Sequence, residues 1–372
     1  MTHDPGPTTN ELSLYLTHPD ELGTVLDGEP MFRTRQLREW LYMHPVPSTD
    51  MMTNLPVELR ERLAPGLWPF EVRAVQESDD GTTVKWLFGA PDGVALEAVL
   101  MGYPRRVTLC LSSQAGCALG CTFCATGQFG FDRHLEAGEI VAQLAFARAF
   151  LSTRPMPGVP DHVTNVVFMG MGEPMANYPR VREAIRRMID EMHLSARAIT
   201  VSTVGVVPGM LRLAEDPWPV NLAVSLHAAD DELRSRLVPV NDRYPLGAVE
   251  KAAQIYFEKK HRRVSLEWTM IDGVNDGDEQ ADLLAPIARR LRAHVNLIAM
   301  NPTPLTEAMP STASRIDAFA GRLRSRGVNV TVRDTRGRDI DAACGQLRAR
   351  STDLGARVLG RGHRAVDGRT ER

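Results

Sequence analysis

Three cysteines stand close together in the chain, at Cys117, Cys121 and Cys124, with Phe123 just before the last. The spacing Cys-x3-Cys-x2-Cys puts three soft thiolate ligands on one tight loop, where they can hold three corners of a [4Fe–4S] cluster. The fourth iron is then open to another ligand. A structural zinc ion is the alternative, but zinc usually completes four protein ligands from separated pairs, and the nearest imidazole, His134, is ten residues further on. The spacing therefore predicts an iron–sulfur cluster.

The remaining two of the five cysteines are Cys110, seven residues before the cluster loop, and the distant Cys344. In a reducing compartment, five cysteines do not suggest a stable disulfide framework, and the crowding of four of them between residues 110 and 124 points to metal or redox chemistry. Considered alone, Cys110 and Cys344 would be inert buried thiols, which is the usual state of free cysteine.

Length and composition restrict the class of protein. With 372 residues and 43% hydrophobic content, the chain can bury one large core and a small accessory domain. No run approaches the roughly 18 apolar residues of a membrane span, and the N-terminus lacks the plan of a secretion signal. The sequence therefore predicts a cytoplasmic enzyme without membrane attachment.

The formal net charge of -3 argues against indiscriminate nucleic-acid binding, but the charge is unevenly distributed. Residues 1–50 carry three arginines against eight acidic residues, whereas residues 322–372 carry thirteen arginines against six. The basic end could bind phosphate, with a solvated arginine-rich tail as the alternative after Arg350.

The first part of the chain is helical in pattern. The segment MFRTRQLREWLYM places Phe32, Leu37, Trp40 and Leu41 near one face, and the helical pattern continues to about residue 75. We expect a small helical N-terminal domain over 1–80. The strand patterns TVKWLFG and VALEAVLMG flank a Pro-Asp-Gly turn, which predicts a bridging β-hairpin over 81–105.

From Arg106 onward, short β-branched runs alternate with helical patterns, as in parallel βαβ units. The predicted strands are RVTLCLSS, VTNVVFMG, AITVSTVG, NLAVSLH, RVSLEWTMI, HVNLIAMNP and NVTVRD, and the predicted helices cover 138–151, 179–191, 246–261, 278–293 and 314–326. Six or seven units favour an α/β fold with a partial TIM-like (βα)6 barrel over 106–348, followed by a basic tail over 349–372. A doubly wound open sheet is the alternative.

Unusual polar residues follow these strands. The cysteine loop follows the first, residues 170–174 follow the second, Ser225 and His227 end NLAVSLH, and Asn301 ends HVNLIAMN. In either fold the carboxyl ends of parallel strands meet at one edge, so the sequence predicts one site that gathers all of them.

At these residues the chain resembles the radical SAM superfamily, in which the open iron is chelated by S-adenosylmethionine (SAM) and reduction of SAM yields a 5′-deoxyadenosyl radical. The segment GMGEP at 170–174 resembles the superfamily's segment for the SAM amino group. Physical chemistry agrees, because glycines permit close backbone approach and the Glu173 carboxylate can balance an ammonium group.

A closer resemblance covers most of the chain up to about Leu347. The segments QAGCALGCTFCATGQFGF, FMGMGEPMANY, VSTVGVVP, AVSLHA, NLIAMNP and TRGRDIDAACGQL are similar to the RlmN-type dual-specificity RNA methyltransferases of the RlmN/Cfr family. The resemblance implies methylation of adenine C2 in 23S rRNA, at adenine 2503, and in tRNA, at adenine 37. It also implies that SAM is contacted by Gly172, Glu173, Ser202, Ser225, Leu226, His227 and Asn301.

The resemblance further implies a mechanism that uses the two remaining cysteines. Cys344 takes a methyl group from one SAM and becomes S-methylcysteine, and a second SAM supplies the radical that activates this methyl for addition to adenine C2. Cys110 then releases the product through a transient Cys110–Cys344 disulfide. Glu97 matches the family's proton acceptor, although a carboxylate on an alternating strand is more often solvent-facing. An electron donor such as flavodoxin or ferredoxin completes the set of partners.

RNA recognition is predicted less sharply. The target adenine must be unstacked, so we expect a flexible or single-stranded site. Arginines flank the Cys344 loop and could grip phosphates, with exposed helix arginines as the alternative for the first two: Arg324, Arg326, Arg333, Arg336 and Arg338. Two other functions compete, namely the related C8 methylation and a non-catalytic, metal-bearing RNA-binding assembly factor.

Overall fold

The computed structural model describes residues 13–303, 306–333, 337, 340–342 and 345–347. Cys344, Arg336, Arg338 and the tail over 349–372 lie outside the described residues. The helical N-terminal part contains a 3-10 helix over Pro19–Leu26, then α1 (Phe32–Arg38), which continues as a π-helical turn over Glu39–Met43, and α2 (Val57–Leu63). Leu37 and Leu41 of the predicted apolar face are fully buried, whereas Phe32 is 48% exposed.

An antiparallel sheet follows the helices. Its strands are β1 (Glu71–Glu77), β2 (Thr83–Gly89), β3 (Ala95–Tyr103) and β4 (Arg106–Cys110). The predicted hairpin is formed by β2 and β3, which pair antiparallel from Thr83–Met101 to Gly89–Ala95. The prediction of helix up to residue 75 is wrong at its end, because β1 pairs with β2 and adds a further strand. An exposed edge strand that alternates weakly between apolar and charged residues gives little periodic signal.

Parallel strands and helices alternate in the rest of the described chain. After a short hairpin of β5 (Gln114–Gly116) and β6 (Phe131–His134), the strands are β7 (Asn165–Phe168), β8 (Ile199–Thr203), β9 (Asn221–Ser225), β10 (Ser265–Met270), β11 (His294–Ala299) and β12 (Asn329–Val332). The helices are α3 (Ala125–Gln128), α4 (Ala137–Thr153), α5 (Tyr178–Asp190), α6 (Val207–Glu215), α7 (Asp231–Leu237), α8 (Leu246–Lys260), α9 (Asp278–Arg290) and α10 (Ala313–Ser325).

The order of the strands decides between the two predicted folds. In the described part of the chain, the sheet runs β1-β2-β3-β4-β7-β8-β9-β10-β11-β12, and every pair from β4 onward is parallel. This sequential order has no reversal, whereas a doubly wound sheet reverses at a switch point. Cys110 of β4 and Thr331 of β12 line the same cavity, so the parallel part curves round on itself. The predicted partial barrel is confirmed.

Alternation along each strand separates the core from the barrel interior. In β10, Leu266, Trp268 and Met270 are almost fully buried in the core, and the Trp268 ring lies 5.8 Å from that of Phe319 on α10. Glu267 of the same strand instead lines an interior cavity. Because successive side chains point to opposite faces, the apolar half packs under the outer helices and the polar half faces the site.

The helical N-terminal part packs directly on the barrel. The Arg38 guanidinium donates to both carboxylate oxygens of Glu191, just after α5, at 2.6 and 2.7 Å. At Gly138 in α4, an added Cβ would come within 2.1 Å of the Tyr15 carbonyl oxygen, so the two segments touch backbone to backbone. This contact requires glycine, and it fixes the helical part against the outer face of the barrel.

Candidate active site

The cysteine loop lies at the carboxyl end of the barrel. Cys117, Cys121 and Cys124 all line one cavity of about 980 Å³. The loop is held by backbone bonds, with the Cys117 amide donating to the Gly130 carbonyl at 2.7 Å and the Cys124 amide donating to that of Cys121 at 3.2 Å. The three thiols are therefore brought to one space by local backbone geometry.

The three cysteines fit an iron–sulfur cluster as the group that they would hold. Burial raises the pKa of the Cys117 thiol to about 12, with a further rise from Cys124 and Glu173, and burial likewise raises the pKa of Cys121. Binding to iron would release these protons. Among the described residues, no three Cys, His, Asp or Glu side chains are arranged around a single metal ion. A cluster instead takes one thiolate at each of three irons, and this chain offers three.

Glu173 lines the same cavity, in the turn after β7. Its Oε1 accepts from the Met175 amide at 2.9 Å and its Oε2 from the Val204 amide at 3.0 Å. Burial raises the pKa of this carboxyl to about 7. A bound ammonium group would favour the charged form, because an opposite charge at short range offsets desolvation. The preceding Gly172 has φ of 96°, and a Cβ there would meet the Gln114 side chain at 2.4 Å.

His227 has an unusual backbone and a fixed tautomer. Its φ is 62°, and its Nδ1 accepts from the Thr269 amide at 3.0 Å, so Nε2 carries the ring proton. Burial, followed by the charge of Arg234, lowers its pKa to about 3. The ring is therefore neutral at physiological pH, and it packs edge-on against Phe123 with the ring centroids 4.6 Å apart.

The structure brings together most of the residues predicted to contact SAM. The predicted residues that line the cavity are Gly172, Glu173, Ser202, Ser225, His227 and Asn301. Ser202 Oγ and Ser225 Oγ lie 3.4 Å apart. Leu226 differs, because its side chain is 1% exposed in the main hydrophobic core. Only its backbone faces the neighbouring strand, where its amide donates to the Glu267 carbonyl at 3.0 Å.

Cys110 lines a second cavity of about 1490 Å³. Met169 and Ile298 line both cavities, so the two spaces adjoin. The Cys110 side chain is 7% exposed, and the residue pairs with Val99 of β3. Cys110 therefore lies next to the cysteine-loop cavity but not in it.

Glu97 is buried, with 2% of its surface exposed, so the solvent-facing alternative does not apply. Its Oε1 lies 3.7 Å from the Lys85 ammonium, which also donates to the Asp341 carbonyl at 3.1 Å. Lys85 thus joins Glu97 to the segment that leads to Cys344.

Described residues on either side of Cys344 contact both cavities. The Gly345 carbonyl accepts from the Ala125 amide at 2.8 Å, just after the cysteine loop, and Gly345 lines the first cavity. Ala342 and Leu347 line the second cavity with Cys110. The described residues Ala342, Gly345 and Leu347 therefore lie at the two adjoining spaces.

The arginines near this segment form protein contacts that the sequence did not predict. Arg326 pairs with Asp282 at 2.6 Å, and Arg324 lies 3.5 Å from the Val330 carbonyl. Arg333 lies 3.5 Å from the buried carboxylate of Glu267. The predicted grip on phosphate therefore competes with these contacts.

Arg234 is a further residue that the sequence analysis missed. It is fully buried on α7 and donates to the Leu226 and Val204 carbonyls and to Asn241 Oδ1. The two carbonyls belong to the residues directly after β9 and β8, which carry site residues. The pattern DELRSRL does not indicate that Arg234 is buried, because arginine on a short helix is usually exposed.

We expect Arg234→Met to lower the free energy of unfolding by about 3 kcal/mol, since buried acceptors lose their donors, and to lower Tm by about 4 °C. Thermal unfolding followed by circular dichroism measures this effect. Arg236→Met on the same helix is the matched control, because Arg236 is exposed, and it should leave Tm nearly unchanged. Equal Tm values for the two variants would contradict the prediction.

The site combines three features of radical SAM proteins, namely a cysteine loop, a buried carboxylate after a glycine, and a cavity at the ends of parallel strands. Residues 111–285 match the model of the radical SAM superfamily. Residues 24–66 match the model of the ribosomal RNA large subunit methyltransferase N-terminal domain. A probable dual-specificity RNA methyltransferase RlmN from Salinispora tropica is 50% identical over 330 residues, which are 87% of this chain and 88% of the relative. The chain belongs to the RlmN family of radical SAM RNA methyltransferases.

Other relatives are equally similar. Proteins of the same description from Thermobifida fusca and Chloroflexus aurantiacus are 50% and 48% identical, over 87% and 91% of this chain and 90% and 93% of the relatives. A crystal structure of a radical SAM methyltransferase from Sphaerobacter thermophilus is 47% identical, with a TM-score of 0.85 over 91% of this chain and 100% of that one. Membership of the superfamily implies a [4Fe–4S] cluster and SAM. No helix in the described part of the chain is long and apolar enough to cross a membrane.

Proposed function

We propose that this chain methylates C2 of adenine 2503 in 23S rRNA and of adenine 37 in tRNA, through a methyl group carried by Cys344. The observation that supports this proposal most is the position of the described residues that flank Cys344 in the sequence. Gly345 lines the cavity of the cysteine loop, and Ala342 and Leu347 line the adjoining cavity that contains Cys110. The flanking residues of the proposed methyl carrier therefore reach both the cavity of the cysteine loop and that of Cys110.

The described residues include those that would hold the cofactors. Cys117, Cys121 and Cys124 would bind three irons, and Glu173 would pair with the SAM ammonium. When bound and reduced by an external donor such as flavodoxin or ferredoxin, the cluster and SAM supply a carbon-centred radical that can remove hydrogen from a methyl group.

The low reactivity of adenine C2 as a nucleophile explains why the protein would need to carry the methyl group. C2 is an electron-poor ring carbon with no lone pair, so it cannot attack the SAM methyl as a nucleophile. The Cys344 thiolate can, because thiolates are strong nucleophiles. One SAM per turnover is then the methyl-donating substrate and a second provides the radical, which makes two SAM per product.

Cys110 would release the product from the protein. Its thiolate attacks the Cys344 sulfur, a Cys110–Cys344 bond forms, and the bond between Cys344 and the methylene on adenine breaks. Before this attack, the adduct radical on the ring must lose one electron, which would return to the electron-donor system, and its C2 proton, which passes to a base. The electron pair of the broken carbon–sulfur bond then passes to the methylene carbon and the ring, and protonation leaves a methyl group on C2. The disulfide must then be reduced by two electrons before the next turnover.

Glu97 would act in the same region. Lys85 lies between the Glu97 carboxylate and the Asp341 carbonyl, so the position of Glu97 is tied to that of the Cys344 segment. We propose Glu97 as the proton acceptor that Lys85 keeps in its charged form, since an opposite charge at this distance favours the carboxylate.

The RNA must present an adenine that can leave its stack, which favours loops and single strands and costs a few kcal/mol. Ribosomal and transfer RNA share this property in their loops. We also propose that the enzyme acts in the cytoplasm, where these RNAs would be its substrates.

Analysis of methylated nucleosides by mass spectrometry tests the proposal. Anaerobically reconstituted protein, incubated with SAM, a reductant and either 23S rRNA fragments or tRNA, should yield 2-methyladenosine identified against a synthetic standard. Cys344→Ala is the control and should yield none. Accumulation of 8-methyladenosine alone would overturn the C2 assignment, and cluster-bearing protein without any methylated product would favour the non-catalytic assembly factor.

A further inference from the structure

A second buried carboxylate, Glu267, lies in the cavity of the cysteine loop. It is 3% exposed and stands in the middle of β10, directly opposite Ser225 on β9 and Asn296 on β11. Its side chain lines the cavity that also contains Glu173 and the three cysteines. Neither the cysteine spacing nor the proposed transfer through Cys344 uses this residue.

The two oxygens of Glu267 have different surroundings. Oε1 accepts from Asn296 Nδ2 at 2.8 Å and lies 3.5 Å from a guanidinium nitrogen of Arg333. Oε2 is buried and has no hydrogen-bond partner among the described residues. Because a buried acceptor without a partner costs about 1–3 kcal/mol, and more if it is charged, Oε2 is a site where a donor of a bound molecule would be favourable.

Burial raises the pKa of the Glu267 carboxyl, and the charge of Arg333 and the hydrogen bond from Asn296 offset only part of that rise. Both of these donors reach Oε1. A donor group of a bound molecule at Oε2 would therefore further stabilise the carboxylate. Among the described lining residues, Glu173 and Glu267 are the two carboxylates of this cavity.

A SAM molecule has two kinds of donor that suit two carboxylates. Its ammonium group would be taken by Glu173, which the glycine turn and the cysteine loop place beside the cluster site. Its nucleoside end would then extend past the end of β9 towards Ser225 and Glu267, which lie opposite each other on neighbouring strands. The ribose carries two neutral hydroxyl donors, and a carboxylate is the group that dinucleotide-binding folds use for ribose hydroxyls.

We propose that Glu267 is a SAM-binding residue whose Oε2 accepts a hydrogen bond from a ribose hydroxyl of SAM, while Asn296 and Arg333 hold the carboxylate in place through Oε1. This inference rests on the proposed use of SAM by the chain. It can be tested by binding alone, without RNA, so its failure is distinguishable from a failure of the proposed methylation.

The test compares SAM with its 2′-deoxy and 3′-deoxy analogues. Binding to anaerobically reconstituted protein is measured by isothermal titration calorimetry without reductant. Wild-type protein should bind at least one analogue about tenfold or more weakly than SAM, because a hydrogen bond to a charged group is lost. In Glu267→Gln this ratio should fall to about threefold or less, and in Glu267→Ala it should approach one.

Ser265→Ala provides the matched control. Ser265 is two residues earlier on the same face of β10, outside the lining of both cavities, and its substitution should leave the ratio at the wild-type value. If wild-type protein binds both deoxy analogues as tightly as SAM, the proposal is wrong, whether or not the Glu267 variants fold. A ratio that remains about tenfold in Glu267→Ala would also overturn it.

Discussion

Cys121→Ala should abolish the assembly of a stable [4Fe–4S] cluster. Wild-type protein reconstituted with iron and sulfide is expected to bind about four irons per chain, whereas the variant loses one of three thiolate ligands. Cys121 is the most buried of the three, so little water can replace the lost ligand. Formation of 5′-deoxyadenosine from SAM should fall at least about 100-fold, because a radical step without its electron carrier has no alternative route.

Iron and sulfide analysis, together with electron paramagnetic resonance of the reduced protein, measures the loss. Cys110→Ala is the matched control for iron content, since Cys110 is also a buried free cysteine but lines the adjoining cavity. It should retain about four irons. Wild-type protein that takes up zinc in place of iron, or a Cys121→Ala protein with a normal cluster signal, would contradict the assignment.

The fold was predictable from the sequence where a strand or helix pattern of apolar residues continued along a whole element. Seven apolar strand patterns from Arg106 onward alternate with long helical patterns, and each predicted strand is present within a few residues of its expected bounds. Parallel strands of a barrel are buried on their outer face and half-polar inside, so runs such as NLAVS and SLEWTM stand out from the helices around them.

The elements that were not predicted are short or lie at an edge. The sequence pattern at β1 predicts helix, and no sequence pattern predicts the β5–β6 hairpin that encloses the cysteine loop. β5 has three residues, QAG, and its pairing with β6 is broken by an irregularity between Ala115 and Gly116. Such segments take their conformation from the loop they support, so their local sequence contains little information.

The site residues likewise include some that the sequence predicts and some that it does not. Cys117, Cys121 and Cys124 have a recognisable spacing because one loop carries all three. Glu267 and Arg234 have no such spacing, because the partners that make them important are distant in sequence. Glu267 contacts Arg333, and Arg234 donates to the Val204 carbonyl. A buried charge can be inferred from sequence only when its partner is known.

Cys110→Ala should trap a covalent adduct between the protein and its RNA. Cys110 is the described thiol that lines the cavity beside Ala342 and Leu347, on either side of Cys344. Without it, the thioether between Cys344 and adenine has no neighbouring thiolate to attack it. We expect the adduct to accumulate to a large fraction of the protein within a single turnover, while release of methylated RNA falls at least about 100-fold.

Denaturing gel electrophoresis followed by nuclease digestion and mass spectrometry detects the adduct and locates it on Cys344. Cys110→Ala with Cys344→Ala should form none, because the double variant lacks the methyl carrier. The geometry makes the comparison informative, since both substitutions leave the three cysteines of the loop in place and therefore leave the radical source intact. If the double variant still forms the adduct, or if Cys110→Ala releases methylated RNA at the wild-type rate, then Cys110 does not resolve the intermediate. In that case its position beside the Cys344 segment would be a matter of packing, as for Val99 and Leu347 in the same apolar cluster.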